Sequence, residues 1–262
     1  MNRPVTMRAR MARGGGTSRL RGRGGQLKAA DIAVLMFDDA DARRRCGPRR
    51  GPRRRRAIGR LPRSLTGLPA VHIDDPGNVE VFEAAIAGAR RVVVVGADAD
   101  LASVLTRLLR AGRLDVEVGY APRRRTAATR VYRVPAGRRA ARRARRGSAR
   151  RMPLIRDETG TAIVGAAHWQ PAGDAQLLHG EAVVDDAVLF DGDVAGVRIE
   201  PTAALPGLRA RVSGGRSRRW LAGRAAQLGT TGAAVVRDGV SAPRPTRRST
   251  IYRNTEGWLL VR

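Results

Sequence analysis

Asp98 stands where a carboxylate can take part in phosphate chemistry. It follows the run Val92-Val93-Val94-Val95-Gly96-Ala97 and precedes Ala99 and Asp100. Four valines closed by a glycine read as a buried strand ending at a turn. Ligands of open α/β sheets bind beyond the carboxyl ends of such strands. A helix starting there offers free N–H groups to phosphate, and a carboxylate beside it can hold a Mg²⁺ that bridges to phosphate oxygens. The plainer reading is that Asp98 and Asp100 cap that helix. A second chemical signal follows: from Pro122 to Arg151, thirteen of thirty residues are arginine and none is acidic.

Other reactive side chains carry weaker signals. His72, His168 and His179 have no close metal-ligand spacing, and no HExxH occurs, which excludes a zinc metalloprotease of that type. Asp185-Asp186 and Asp191-Gly192-Asp193 can bind a cation, but acids in glycine-bearing turns are ordinary turn chemistry. Ser148 and Ser213 lack a nucleophile context, and Cys46 is alone, so no intrachain disulfide or cysteine zinc cluster forms. A reducing, cytoplasmic setting follows. Trp169, Trp220 and Trp258 read as packing residues; aromatics at 3% argue against base stacking on single strands.

The elements that must position Asp98 form a regular succession. Ala70-Val71-His72-Ile73 reads as a strand, Asp75-Pro76 as the start of a helix with Val79, Phe82, Ala85 and Ile86 on one face, and Arg91 to Val95 as the next strand. Leu101, Val104, Leu105, Leu108 and Leu109 make a second amphipathic helix ending near Gly112, before a strand at Val116 to Tyr120. This predicts a parallel sheet with helical crossovers. Pro135 can open a further helix whose arginines wrap most of the surface, leaving Ala140, Ala141 and Ala144 as a narrow packing stripe.

After Met152 the pattern changes. Asp157-Glu158-Thr159-Gly160 reads as a hairpin turn, and short apolar segments follow, separated by Gly, Pro and Asp. The expected fold class is α/β: a small parallel-sheet lobe over 67–151, then a mainly β sandwich lobe over 152–262. Residues 1–66, rich in Arg, Gly and Pro, are expected to be a disordered basic leader. Its exception is Ala29 to Phe37, apolar enough for one short strand or helix.

The formal charge of +28 is unevenly spread: residues 1–63 carry +15 and 122–151 carry +13. Such a field attracts polyanions, whether nucleic acid, nucleotides or an anionic membrane surface, without choosing among them. Lys28 is the single lysine, so part of the arginine excess also reads as codon bias. No apolar stretch approaches the roughly 20 residues of a membrane span, leaving peripheral membrane contact open.

The order of strand, Gly-x-Asp loop, helix, strand, Pro–Thr loop and β-rich lobe resembles the diacylglycerol kinase and NAD kinase superfamily over roughly residues 70–262. Its members carry a GGDGT loop, a PxGTxN loop and a β-sandwich with an Asp-Gly pair. The first glycine and the aspartate fall on Gly96 and Asp98; the other loop positions are Ala97, Ala99 and Asp100. In the second loop Pro122 matches, Thr126 follows three arginines, and neither the glycine nor the asparagine is present. Asp238-Gly239 matches the Asp-Gly pair. The resemblance implies ATP as donor, Mg²⁺ held by Asp98, catalytic roles for Asp98 and Asp238, and nucleotide or phosphate contacts from Gly96, Arg123, Arg124, Arg125 and Thr126.

It further implies transfer of a phosphoryl group to a lipid or small-molecule hydroxyl. The departures imply weakened or lost activity, because a Cβ obstructs close approach of phosphate to the loop and Asp100 adds negative charge there. Bidentate contacts from Arg123 to Arg125 can compensate. The alternative is a non-enzymatic protein that binds nucleic acid or anionic membranes through its arginine-rich segments.

Overall fold

The computed structural model describes residues 31–37, 61–75, 78–214 and 219–262. Most of the expected leader, and Pro76, lie outside these residues. The part of the leader that is described belongs to the fold: Ile32–Phe37 is a strand with all six side chains buried, and Leu65 is buried in a short 3₁₀ turn at Arg63–Leu65.

Along the chain the strands are β1 (Ile32–Phe37), β2 (Ala70–Ile73), β3 (Arg91–Val95), β4 (Glu117–Tyr120), β5 (Ala149–Met152), β6 (Ile155–Asp157), β7 (Ala162–Ile163), β8 (Ala167–Pro171) and β9 (Leu178–Val184). Then come β10 (Ala187–Val194), β11 (Val197–Pro201), β12 (Leu208–Val212), β13 (Leu221–Gly223), β14 (Ala225–Arg237), β15 (Val240–Ser241), β16 (Thr246–Arg253) and β17 (Trp258–Val261). The α-helices are α1 (Val79–Ile86), α2 (Asp98–Arg110), α3 (Ala127–Val131) and α4 (Gly137–Arg146).

The first sheet runs β2-β1-β3-β4-β17-β5, parallel except for the β17–β5 pair. Strands β1 and β3 are buried on both faces, as expected of central parallel strands covered by helices. Alternation sends Ala33, Leu35 and Phe37 into the core with α1 and α2, and Ile32, Val34 and Met36 into the core with α4. The helix expected from Asp75-Pro76 begins later. Asn78 caps α1 by accepting Val81 N–H at 3.2 Å, and its own N–H donates to the Asp75 carbonyl.

Helix α4 shows how an arginine-covered helix is held. Ala140, Ala141 and Ala144 are buried, and a Cβ added to Gly119 of β4 would lie 2.7 Å from the Ala144 Cβ. Glycine there permits close approach of the helix to the strand. The buried Arg91 then secures the helix end, donating to the carbonyls of Ala144, Arg145 and Gly147 at 2.8–3.3 Å and to Glu117 at 2.7 Å. A cation at a helix C-terminus is also the favourable sign for its dipole.

The second sheet is built around β14. Its first half pairs with β9 and its second half with β8, the register with β16 shifting between Gly229 and Ala233. One long strand therefore serves both parts of a sheet folded about a core of Trp169, Ile155, Ile199, Leu208 and Ile251. The predicted Asp157–Gly160 hairpin joins β6 to β7. Trp169 and Trp258 are core residues, whereas Trp220 lies beneath Arg209 and Arg211.

The first sheet draws strands from before residue 67 and from after residue 152. Strand β1 lies inside the first sheet between β2 and β3, and β17 enters that sheet after the whole β lobe has been traversed. At the junction, the buried Thr106 of α2 accepts Ala162 N–H at 2.9 Å, fixing β7 against the helix that carries Asp98. Among the described residues no helix is long and apolar enough to cross a membrane.

Candidate functional site

Asp98 opens α2, immediately beyond the carboxyl end of β3. Its Oδ1 accepts the Tyr120 hydroxyl at 2.8 Å and its Oδ2 accepts Ala128 N–H at 3.1 Å. The last residue of β4 and the first turn of α3 thus aim two donors at one carboxylate. Burial, with the charge of Asp98, pushes the Tyr120 phenol far above its ordinary range, so it remains a donor.

Asp238 reaches the same place from the other lobe. Asp238 and Gly239 are the two central residues of the β14–β15 hairpin, with φ of 48° and 84°. Left-handed backbone at both positions is the mark of a tight hairpin turn that Asp-Gly accommodates. The Asp238 carboxylate accepts Gly165 N–H at 2.7 Å, Val164 N–H at 2.9 Å and Ala166 N–H at 3.0 Å. Burial nevertheless pushes this carboxyl up to about 6; the three N–H donors oppose the rise and the charge of Asp98 adds to it.

Gly165 is where the two meet. A Cβ built there would lie 2.8 Å from Asp98 Oδ2, 3.0 Å from Asp238 Oδ1 and 2.9 Å from the Ala127 Cβ. The β7–β8 link therefore passes its bare backbone between two carboxylates and the start of α3. Ala127 also lines a cavity of about 660 Å³ between α3 and the β11–β12 hairpin. There Arg198 and Arg209 both bond Glu200, holding its carboxyl below the ordinary range although burial raises it.

The remaining predicted residues are placed differently. The loop at Gly96 is closed on itself: Asp100 Oδ2 accepts Ala97 N–H at 2.7 Å, and a Cβ at Gly96 would meet that same oxygen. Ala97 has an ordinary extended backbone, φ −88°, so the alanine there imposes no strain. Thr126 caps α3, accepting Thr129 N–H at 3.2 Å. Arg123, Arg124 and Arg125 are exposed, and Arg125 lines a groove shared with α4.

Among the described residues no three or more His, Cys, Asp or Glu side chains group as a metal would require. Both oxygens of Asp98 and of Asp238 accept hydrogen bonds, and Asp98 is the carboxylate that would hold a Mg²⁺ arriving with phosphate. Sequence reasoning missed Tyr120 as a partner of Asp98, and it missed Gly165 and Thr106. A tyrosine ending a strand beside an acidic loop, and a threonine on the apolar face of α2, were the available signals.

No family model matches the chain, and no curated protein does. Solved structures do. A diacylglycerol kinase from Bacillus anthracis str. Sterne superposes with a TM-score of 0.60 at 11% identity, covering 88% of this chain and 96% of that one. The fold is the one seen in diacylglycerol kinase and NAD kinase structures. An NAD kinase from Archaeoglobus fulgidus, solved in complex with ATP, matches with a TM-score of 0.55 at 12% identity over 88% of this chain and 93% of that one. The kinase-like fold thus spans both lobes and the junction at which Asp98 and Asp238 meet.

Proposed function

We propose that this chain is a kinase-like phosphotransferase of weakened activity, with ATP as donor and a lipid or small-molecule hydroxyl as acceptor. The observation that carries the reading is the convergence of Asp98 and Asp238, from separate lobes, on the backbone at Gly165. In the reaction, the acceptor oxygen attacks the γ-phosphorus, the bond to the β-phosphate oxygen breaks, and ADP leaves. Asp98 takes the hydroxyl proton, held in position by Tyr120 and the Ala128 amide. Asp238 fixes the 164–166 backbone that forms the opposite wall. The cavity lined by Ala127, Arg130 and Arg133 is the place for the acceptor.

Weakness follows from the loop after β3. Its Ala97 N–H, which a phosphate would use, is held by Asp100, whose negative charge also opposes a triphosphate. Mg²⁺ would be supplied with ATP, and Asp98 is the residue that would hold it, so that the ion offsets phosphate charge during transfer. Calorimetric titration with Mg-ATP tests the reading: binding that is lost in Asp98→Ala is expected, and Asp100→Thr should tighten it. No heat at millimolar nucleotide, in either the parent or Asp100→Thr, would leave the fold without the activity.

A further inference from the structure

We infer that the groove between α3 and α4 binds the phosphodiester backbone of nucleic acid. The groove has a volume of about 950 Å³; Arg125, Arg130 and Arg133 approach from the α3 side and Arg139, Arg142, Arg143 and Arg146 from α4. No acidic residue lines it, and among the described residues none of these seven guanidinium groups is ion-paired with a carboxylate. The inference does not rest on phosphoryl transfer at Asp98, although Arg130 and Arg133 also line the proposed acceptor cavity.

The arrangement opposes folding of the helix that bears it. Arginines three and four residues apart on α4 repel one another, and Arg138 and Arg139 sit in the first turn, where the helix dipole disfavours cations. Helix α4 is held instead by its alanine stripe against Gly119 and by Arg91 at its end. The outward arginines contribute nothing to that packing. An anionic ligand with several charges removes the repulsion, and guanidinium forks match phosphate oxygens in bidentate geometry.

The lining selects among polyanions. No aromatic residue lines the groove, so bases have no stacking platform and recognition is of the backbone. The alanines of α4 are buried and no bulky apolar side chain projects from that helix, so a lipid surface gains no insertion. Arg139 to Arg146 covers roughly 10 Å along the helix, and one nucleic-acid strand presents about three phosphates over that length. Two facing arginine walls can bracket such a strand. Exposed Arg124 and Arg138 neighbour the lining residues in sequence and extend the cationic surface beyond what a compact oligophosphate would occupy.

The test is fluorescence anisotropy of the full-length chain with a labelled duplex of about 20 base pairs, across about 50–200 mM salt. Residues 1–63 carry their own +15, so the comparison is between full-length variants. Replacing Arg139, Arg142 and Arg143 together by Gln should make the log-affinity against log-salt slope shallower by about 2 to 3 and weaken binding at least about tenfold. The corresponding triple Lys variant should retain most of the slope. Arg125→Gln with Arg130→Gln, on the opposite wall, should give a parallel loss and guards against a folding defect in α4. An unchanged slope in both Gln variants overturns the proposal. So does groove-dependent binding to phosphatidylserine vesicles without duplex binding, or tripolyphosphate that occupies the groove more tightly than duplex.

Discussion

The carboxylate centre at Gly165 and the arginine groove beside α4 both touch the short helix α3, yet they are built on opposite terms. At the centre every carboxylate oxygen of Asp98 and Asp238 accepts at least one hydrogen bond, mostly from backbone N–H. In the groove seven guanidinium groups face solvent without a carboxylate partner among the described residues. A satisfied site is part of the framework, and altering it disturbs folding and chemistry together. An unsatisfied one contributes little to folding and is free to serve a ligand. Charge alone therefore says less about a residue's role than whether its hydrogen-bonding capacity is already used.

That contrast is sharpest at Asp238. Replacing it by Ala leaves three backbone N–H groups without their acceptor, and the expected loss is about 3 to 5 kcal/mol of unfolding free energy, measured by urea titration. A loss below about 1 kcal/mol would mean that the 164–166 segment is held by other contacts and that the centre is no more integral than the groove.

Next in size is a pH effect. The Asp238 carboxyl ordinarily titrates near 3.8 and in the folded chain is pushed up to about 6. The folded state therefore binds this proton more tightly than the unfolded state does. Its contribution to stability is largest below the ordinary value and falls as pH rises from about 4 through 6. The difference in stability between the parent and Asp238→Asn should follow that curve in chemical denaturation at several pH values. A difference independent of pH would show that the three amide donors, rather than burial, govern the group.

The smallest effect belongs to the groove. Arg142→Gln with Arg143→Gln should leave the unfolding free energy within about 0.5 kcal/mol of the parent or raise it slightly, because like-charge neighbours on α4 are relieved. A clear destabilisation by calorimetry would assign those side chains a packing role and dissolve the distinction between the two regions.

Local signals in the sequence carried much of the first lobe. The valine run of β3, the heptad-like leucines of α2 and the Asp157–Gly160 turn each depend on neighbours a few residues away, and each is seen in the structure. What could not be read depends on distant pairing. Ile32–Phe37 is apolar enough to be a strand, but nothing near it says that its partners are β2 and β3 across segments of quite different composition. Asp98 was legible from its place after the β3 valines, and Asp238 only through the resemblance. Their meeting point was not, because Gly165 lies in a link whose glycine looks like any other until two carboxylates are brought against it. Gly119 was a similar case: the bare strand residue and the alanine stripe of α4 are each unremarkable, and only their contact explains both.

The placement of β17 has a consequence for how the molecule assembles during translation. Strands β4 and β5 are joined only through β17, which emerges from the ribosome after the entire β lobe. Until residues 258–261 are available, the sheet beneath Asp98 has an open gap on one side and β5 has no strand to pair with. The nascent first lobe must then wait, with β4 exposing an unpaired edge, while more than a hundred further residues are made. Such a sequence-distant closure slows folding, so the arrival of β17, rather than completion of the helices around the site, sets when the junction of Asp98 and Asp238 becomes whole.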